Sequence, residues 1–223
     1  PHLDLVGPDL YDTNTTQDIS FYNKGTNIPA HLELGPSVWS AIGQGVYHLV
    51  NGYGMGWYDL IDIGFSGHHG LYRLKYEERD GTQILGTPYK GEIEGSTKEF
   101  IAMSNSVGAL KELLASVPVS DMAGFNVKMK NVASDTKKLG DKKITYDYSN
   151  PSAKYGASGL VLKGPDGAYY CFSSQAADFT FTSAPSSVTY GSYNDGAWSE
   201  AGKAAANGAK VTLEPGKAYR VVL

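Results

Sequence analysis

Three closely spaced carboxylate pairs are the residues of this chain that could perform acid–base chemistry. They are Asp59/Asp62, Glu77/Glu78 and Glu92/Glu94. A glycoside hydrolase needs two carboxyl groups that face each other across a bound sugar. In a strand, Glu92 and Glu94 would lie on one face about 7 Å apart, at a rise of ~3.3 Å per residue. Charged residues also protect sheet edges, so a glycoside hydrolase using Glu92/Glu94 or Asp59/Asp62 is kept only as an alternative.

The histidines are the residues that could bind a metal. His68 and His69 are adjacent between glycines, with His31 and His48 upstream. Adjacent side chains of a strand point to opposite faces, so both could ligate one ion only from a loop. The chain has neither the HxH nor the HExxH spacing of zinc sites. A turn with solvated imidazoles is therefore favoured, and we expect no metal and no other cofactor.

Two further features could suggest catalysis and do not support it. The run GYGMGWY at residues 52–58 is rich in glycine, but the segment after it is β-like, whereas a dinucleotide-binding loop opens a helix. Cys171 is the only cysteine, and its neighbours Tyr170 and Phe172 place it in the middle of a strand. A thiol in that setting is typical of a core residue, not of a nucleophile. We therefore assign no catalytic residue and predict a protein that is not an enzyme.

The tyrosines give a stronger indication of binding. They are dense after residue 145, and a turn-rich run there contains Tyr190, Tyr193 and Trp198. Aromatic rings with a polar tip are enriched at protein interfaces and also stack on sugars. Because a turn-rich loop is not expected to bury all three rings, we predict that Tyr190, Tyr193 and Trp198 contact a protein partner or a surface glycan.

The elements that must position these residues are mainly β-strands. From Lys142 to the end, short runs rich in β-branched and aromatic residues alternate with Gly, Pro, Asn and Asp. This pattern predicts a mainly β fold of antiparallel sandwich or barrel-like lobes. Val107, Leu110, Leu113, Leu114 and Val117 recur at helical spacing, which predicts one amphipathic helix at about 104–117, capped by Ser104 or Ser106 and ended by Pro118.

The predicted organisation has three parts. Residues 1–30 are polar and rich in turn formers, so we expect an extended N-terminal arm. Residues 31–130 are predicted to form a β-rich lobe that includes the helix and a hairpin turning at Asp80-Gly81. Residues 143–223 are predicted to form the C-terminal antiparallel sandwich, with the boundary in the polar segment 131–142. A single domain with a long surface loop remains the alternative, and residues 198–207 are also compatible with a short helical turn that Gly202 weakens.

Composition bears on the choice of partner. A net charge of −4 argues against nucleic acid, and no apolar run has the ~18–20 residues of a membrane helix. Low charge, abundant Gly and Tyr, and many short strands are typical of structural proteins of phage particles, including head decoration and tail components. We therefore expect a non-enzymatic assembly protein that binds itself or a larger shell, located in a virion or extracellular assembly and made without a visible signal peptide. A carbohydrate-binding or receptor-binding adhesin domain is the alternative.

Overall fold

The computed structural model describes the C-terminal part of the chain almost continuously and the N-terminal part as separate short elements. The described residues are 9–10, 32–34, 55–57, 61–62, 72–79, 82–88, 95–127, 134–148 and 157–223, and side chains are described in 101–125, 134–148 and 157–223. Of the predicted arm at residues 1–30, only Asp9–Leu10 belongs to the described residues.

Short strands of the N-terminal part form parallel pairs. β1 (Asp9–Leu10), β2 (Leu32–Leu34) and β3 (Met55–Trp57) pair in this order, all in parallel. β4 (Ile61–Asp62) is parallel to β5 (Tyr72–Arg79). We predicted antiparallel strands, but these pairs are parallel. Parallel pairing is possible here because the paired strands are separated along the chain and not connected by a tight turn.

The predicted hairpin in this part of the chain is confirmed. β5 is antiparallel to β6 (Thr82–Pro88), and Arg79 pairs with Thr82 across the two-residue connection. The pairing register shifts between Leu74 and Tyr76, which marks a β-bulge or a similar irregularity. The Asp-Gly dipeptide therefore identified the hairpin correctly.

An antiparallel sandwich, as predicted, forms the rest of the described chain. In spatial order, sheet I contains β14, β13, β17, β11, β10 and β7, and sheet II contains β15, β16, β12, β9 and β8. The strands of sheet I are β7 (Met122–Val127), β10 (Ala157–Lys163), β11 (Tyr169–Ser173), β13 (Ser187–Asn194), β14 (Ala197–Lys203) and β17 (Ala218–Val222). Those of sheet II are β8 (Ser134–Leu139), β9 (Lys142–Asp147), β12 (Ala177–Thr180), β15 (Ala206–Asn207) and β16 (Lys210–Leu213).

The central strands β10 and β11 of sheet I are buried on both faces, which explains their continuous apolar character. Along β11, Tyr169 and Cys171 belong to the cluster between the two sheets, whereas Tyr170 and Phe172 belong to a second cluster beneath the helices. All four residues are buried, because successive side chains of a strand point to opposite faces. We call these two clusters the inter-sheet core and the helix-side core.

The amphipathic helix is present, but its beginning differs from the prediction. Helix α1 (Gly95–Ala109) and helix α2 (Lys111–Ser116) are separated by a break at Leu110 and followed by the 3₁₀ turn Val119–Asp121. Leu110 and Leu113 are buried in the helix-side core, and the extended Pro118 follows the helix end, as predicted. Ser106 is not an N-cap: it lies inside α1, and its hydroxyl donates to the carbonyl of Ala102 at 3.1 Å. Ser104 also lies inside the helix.

The sandwich extends to the N-terminal side of its predicted start at residue 143. β7 pairs with β10, and α1 and α2 pack on sheet I. Residues 134–141 of the predicted boundary form β8 and the turn that follows it, and β8 pairs with β9 in a hairpin. Leu139 of this polar segment is buried in the inter-sheet core. The division of the whole chain into an arm and two lobes stays a prediction.

Candidate functional site

The predicted aromatic loop is a β-hairpin, which corrects its assignment as a turn-rich loop. β13 and β14 are antiparallel, and Asn194 pairs with Ala197 across a two-residue turn. The turn residues have positive φ angles, 53° at Asp195 and 75° at Gly196. Positive φ at both central residues is the requirement of a type I′ turn, for which Asp-Gly is a favoured sequence.

Trp198 and Tyr193 lie together on the helix-side face of the hairpin. They pair across β13 and β14, and both pack half-buried against the helix-side core. Each ring approaches the ring of Tyr170 edge-on, at 5.4 Å for Trp198 and 5.7 Å for Tyr193 between centroids. The indole N–H of Trp198 donates to the hydroxyl of the buried Thr189 at 3.0 Å. The hydroxyl of Tyr193 donates to the carbonyl of Gly196 at 2.9 Å, so hydrogen bonds and ring contacts fix both side chains.

Tyr190 lies on the opposite face of the same strand. It packs against the inter-sheet core, with its ring centroid 6.2 Å from that of Tyr219. The ammonium of Lys217 lies 4.5 Å from the Tyr190 ring centroid, within the range of a cation–π interaction. The structure thus brings Tyr193 and Trp198 together and separates Tyr190 from them, so the three rings do not form one stacking platform.

A carboxylate on helix α2 holds the turn of the hairpin. The backbone N–H groups of Asp195 and Gly196 donate to the two carboxylate oxygens of Glu112, at 3.0 and 3.1 Å. Hydrogen bonds first from Gly196 and then from Asp195 lower the pKa of Glu112, because they stabilise its charged form. This contact was not predictable from the sequence, since Glu112 is more than eighty positions from the turn.

A polar network continues the helix-side face beyond the aromatic rings. The hydroxyl of Tyr170 donates to Asp166 at 3.0 Å, and Nε and Nη2 of Arg220 donate to the same carboxylate oxygen at 3.0 and 2.8 Å. Burial, more than any other cause, raises the pKa of Tyr170 to about 12. Burial opposes ionisation of Asp166, but hydrogen bonds from Arg220 and Tyr170 outweigh it and lower the pKa of this carboxyl group. This network connects Arg220, in the middle of β17, to the turn between β10 and β11.

An open cleft of about 440 Å³ lies on the Tyr190 side of the hairpin. Residues of β13, β14, β15, β16 and the turn before β17 line it. Three lysines, Lys203, Lys210 and Lys217, come from separate elements and share this lining with Tyr190. Sequence reasoning missed the group, because the lysines are spaced seven positions apart and do not form a local charge cluster.

The remaining sequence-based candidates give no second site in the described part of the chain. Cys171 is a fully buried free thiol, and burial strongly raises its pKa, which agrees with the predicted core role. No group of three or more His, Cys, Asp or Glu side chains that could hold a metal ion occurs among the described residues. Glu92/Glu94, Asp59 and His68/His69 lie outside the described residues. Among those described, no helix is long and apolar enough to cross a membrane.

Comparisons with known proteins do not assign a function to this chain. A scan against protein-family models finds no match, and a search of curated proteins finds no significant relative.

Proposed function

We propose that the protein is a non-enzymatic assembly protein, which binds copies of itself or a larger shell through the β13–β14 edge of sheet I. The observation that carries the proposal is the aromatic hairpin. Tyr193 and Trp198 are only half-buried, yet hydrogen bonds and ring contacts hold them in place. Aromatic side chains that are already fixed lose little entropy on binding, which favours their use at interfaces.

The outer strand of this edge is suited to contact with another protein. Among the described strands, β14 has only β13 as a neighbour, and Ser199, Glu200 and Ala201 are exposed. An edge strand can pair with a strand of another chain through its outward backbone groups. Glu112 fixes the tip of the hairpin to the helices, so the edge is presented as part of a rigid unit.

More specifically, we propose that the protein is a component of a phage virion, in the head decoration or in the tail. Support for this form comes from composition alone: few charged residues, 27 glycines, 16 tyrosines and many short strands. Immunogold labelling of purified particles with an antibody against the chain tests it. Labelling of the particle surface would support a virion location, and labelling confined to the soluble fraction would contradict it.

The assembly role is tested with a charge placed on the proposed contact edge. Ala201→Lys adds an ammonium to the exposed part of β14, where charge blocks edge pairing. Ala176→Lys, an identical change at an exposed position between β11 and β12, is the matched control. We expect sedimentation analysis to show oligomers for the wild type and the control, and a shift towards monomer for Ala201→Lys.

Two results would contradict the role in self-assembly. One is a wild-type protein that stays monomeric over the accessible concentration range and does not bind the particle from which it came. The other is an equal degree of association in Ala201→Lys, with both variants shown to be folded by circular dichroism.

A further inference from the structure

The lysine-lined cleft concentrates positive charge in a chain that is acidic overall. Lys203 ends β14, Lys210 begins β16 and Lys217 immediately precedes β17, so the fold brings three distant positions to one lining. Glu214 is the only acidic residue of that lining. The whole chain has a formal charge of −4. The lining thus has three positive charges and one negative charge, and a recess with an excess of one sign focuses the electrostatic potential and attracts ligands of the opposite sign.

Two of the three ammonium groups are held in place before any ligand arrives. Nζ of Lys217 lies 2.7 Å from a carboxylate oxygen of Glu214 and 4.5 Å from the Tyr190 ring centroid. Nζ of Lys210 lies 2.9 Å from a carboxylate oxygen of Asp178. An ammonium group has three donors, so these ion pairs leave donors for a ligand. Lys203 forms no ion pair with a residue that the structure describes, which leaves its charge uncompensated there.

The other groups of the lining indicate which kind of anion fits. Asn207 and Thr212 contribute an amide and a hydroxyl, and Ala204, Ala205 and Ala206 contribute small apolar surface. The Thr212 hydroxyl donates to a carboxylate oxygen of Asp178 at 2.6 Å, so it can only accept from a sugar hydroxyl. The Asn207 amide and the lysines can donate to one. The alanines, in contrast, make no deep apolar pocket for the aromatic or aliphatic anchors that dominate peptide binding. The volume of about 440 Å³ also exceeds what a single inorganic ion fills and lies within the usual range for small-molecule sites.

From these observations we infer that the cleft binds a saccharide carrying a carboxylate or sulfate group. The anionic group lies among Lys203, Lys210 and Lys217, and the sugar hydroxyls contact Asn207 and Thr212. This site differs from the stacking platform that the sequence predicted, because Tyr193 and Trp198 lie on the other face of the hairpin. The inference goes beyond the proposed assembly role and does not depend on it.

The test is a titration followed by ¹⁵N–¹H NMR, which reports binding residue by residue. The probes are a disaccharide of glucuronate and N-acetylglucosamine, N-acetylglucosamine 6-sulfate, neutral lactose, sodium sulfate and a tetra-aspartate peptide. The carboxylated and sulfated probes separate the two sources of anionic charge. We expect at least one of them to shift the amide signals of residues 204–207, with weaker affinity at higher salt because exposed charges are screened.

Two variants establish that the cleft itself binds. Lys203→Gln removes a charge that no described residue pairs with, from an exposed side chain, and we expect it to weaken binding by about tenfold, as for a hydrogen bond to a charged group. Asn207→Asp places a negative charge in the lining, and we expect it to abolish binding. Lys138→Gln is the matched control: it removes the same charge from an exposed position in β8, at the opposite edge of sheet II.

Several outcomes would overturn the inference. Binding of neutral lactose as strong as that of the acidic sugars would show that charge is not recognised. Sodium sulfate or tetra-aspartate binding at least as tightly as the acidic sugars would contradict the saccharide assignment. The absence of shifts with every probe, or equal weakening by Lys203→Gln and Lys138→Gln, would also overturn it. None of these results affects the assembly proposal, which is tested by the oligomeric state of Ala201→Lys in sedimentation analysis.

Discussion

Replacement of Trp198 by Ala measures how far the aromatic hairpin is part of the folded core. The ring packs half-buried on the helix-side core and meets the Tyr170 ring edge-on. Complete burial of a Trp side chain makes its replacement by Ala cost about 3–5 kcal/mol, so half-burial leaves about 2 kcal/mol. Loss of the hydrogen bond to the Thr189 hydroxyl adds about 1 kcal/mol, because Thr189 is itself 5% exposed. We expect a total destabilisation of about 2–3 kcal/mol.

Urea denaturation followed by far-ultraviolet circular dichroism provides the measurement. The midpoint should fall while the slope of free energy against urea stays constant, since the surface exposed on unfolding hardly changes. Trp198→Phe is the matched comparison, because it keeps an aromatic ring on Tyr170 and removes the indole N–H. It should cost about 1 kcal/mol, the part that belongs to the hydrogen bond.

A loss below about 0.5 kcal/mol for Trp198→Ala would refute this reasoning, since that value is typical of a surface position. The same variant also tests the assembly proposal when its association is measured on folded protein. An aromatic hot spot should lose about 2 kcal/mol or more of binding energy on truncation. Unchanged association together with a large loss of stability would assign Trp198 to the core alone.

Three further predictions follow from the helix-side core, the buried thiol and the helix–turn contact. Leu113→Ala should lower the free energy of unfolding by about 2–5 kcal/mol in the same urea assay, because Leu113 is 1% exposed; a loss under about 0.5 kcal/mol would show that the helix does not pack on sheet I. Cys171 should resist a thiol reagent in native protein and react only on unfolding, since burial raises its pKa; rapid native labelling would contradict its placement. Because the two turn N–H groups lower the pKa of Glu112, its charged form stabilises the fold above the ordinary glutamate pKa, and this contribution is lost as the pH falls through the lowered value. Glu112→Gln should therefore flatten the acid side of the stability–pH profile, and a profile identical to that of the wild type would show that the contact is not formed in solution.

The accuracy of the sequence-based predictions depended on how local the responsible interaction is. The Asp-Gly signal correctly predicted the β5–β6 hairpin, because the turn preference of an Asp-Gly pair is a local property of two adjacent residues. The same signal at Asp195-Gly196 was interpreted as part of a loop, because the run around it is rich in turn-forming residues. Residues 198–207 were considered for a helical turn, yet they supply β14 and β15, because cross-strand pairing outweighs weak local propensity.

The contact role of Tyr190, Tyr193 and Trp198 stays a prediction, but the arrangement of the three rings was not foreseen. The alternation of side chains along a strand sends Tyr190 to the opposite face from the other two. The lysine cleft was not predicted at all. Its three members are brought together by the order of strands in the sheets, which single-chain spacing does not reveal.

By itself, the sequence determined the properties that depend on composition and on neighbouring residues. The mainly β architecture, the helix face of Leu110 and Leu113, the helix end at Pro118 and the inert position of Cys171 follow from periodicity, turn chemistry and polarity. Tertiary structure alone decided which strands are neighbours, that the helices and β7 join the C-terminal sandwich, and that Glu112 reaches the hairpin turn. These features depend on contacts between residues far apart along the chain, and such contacts form only when the two sheets close on their common core.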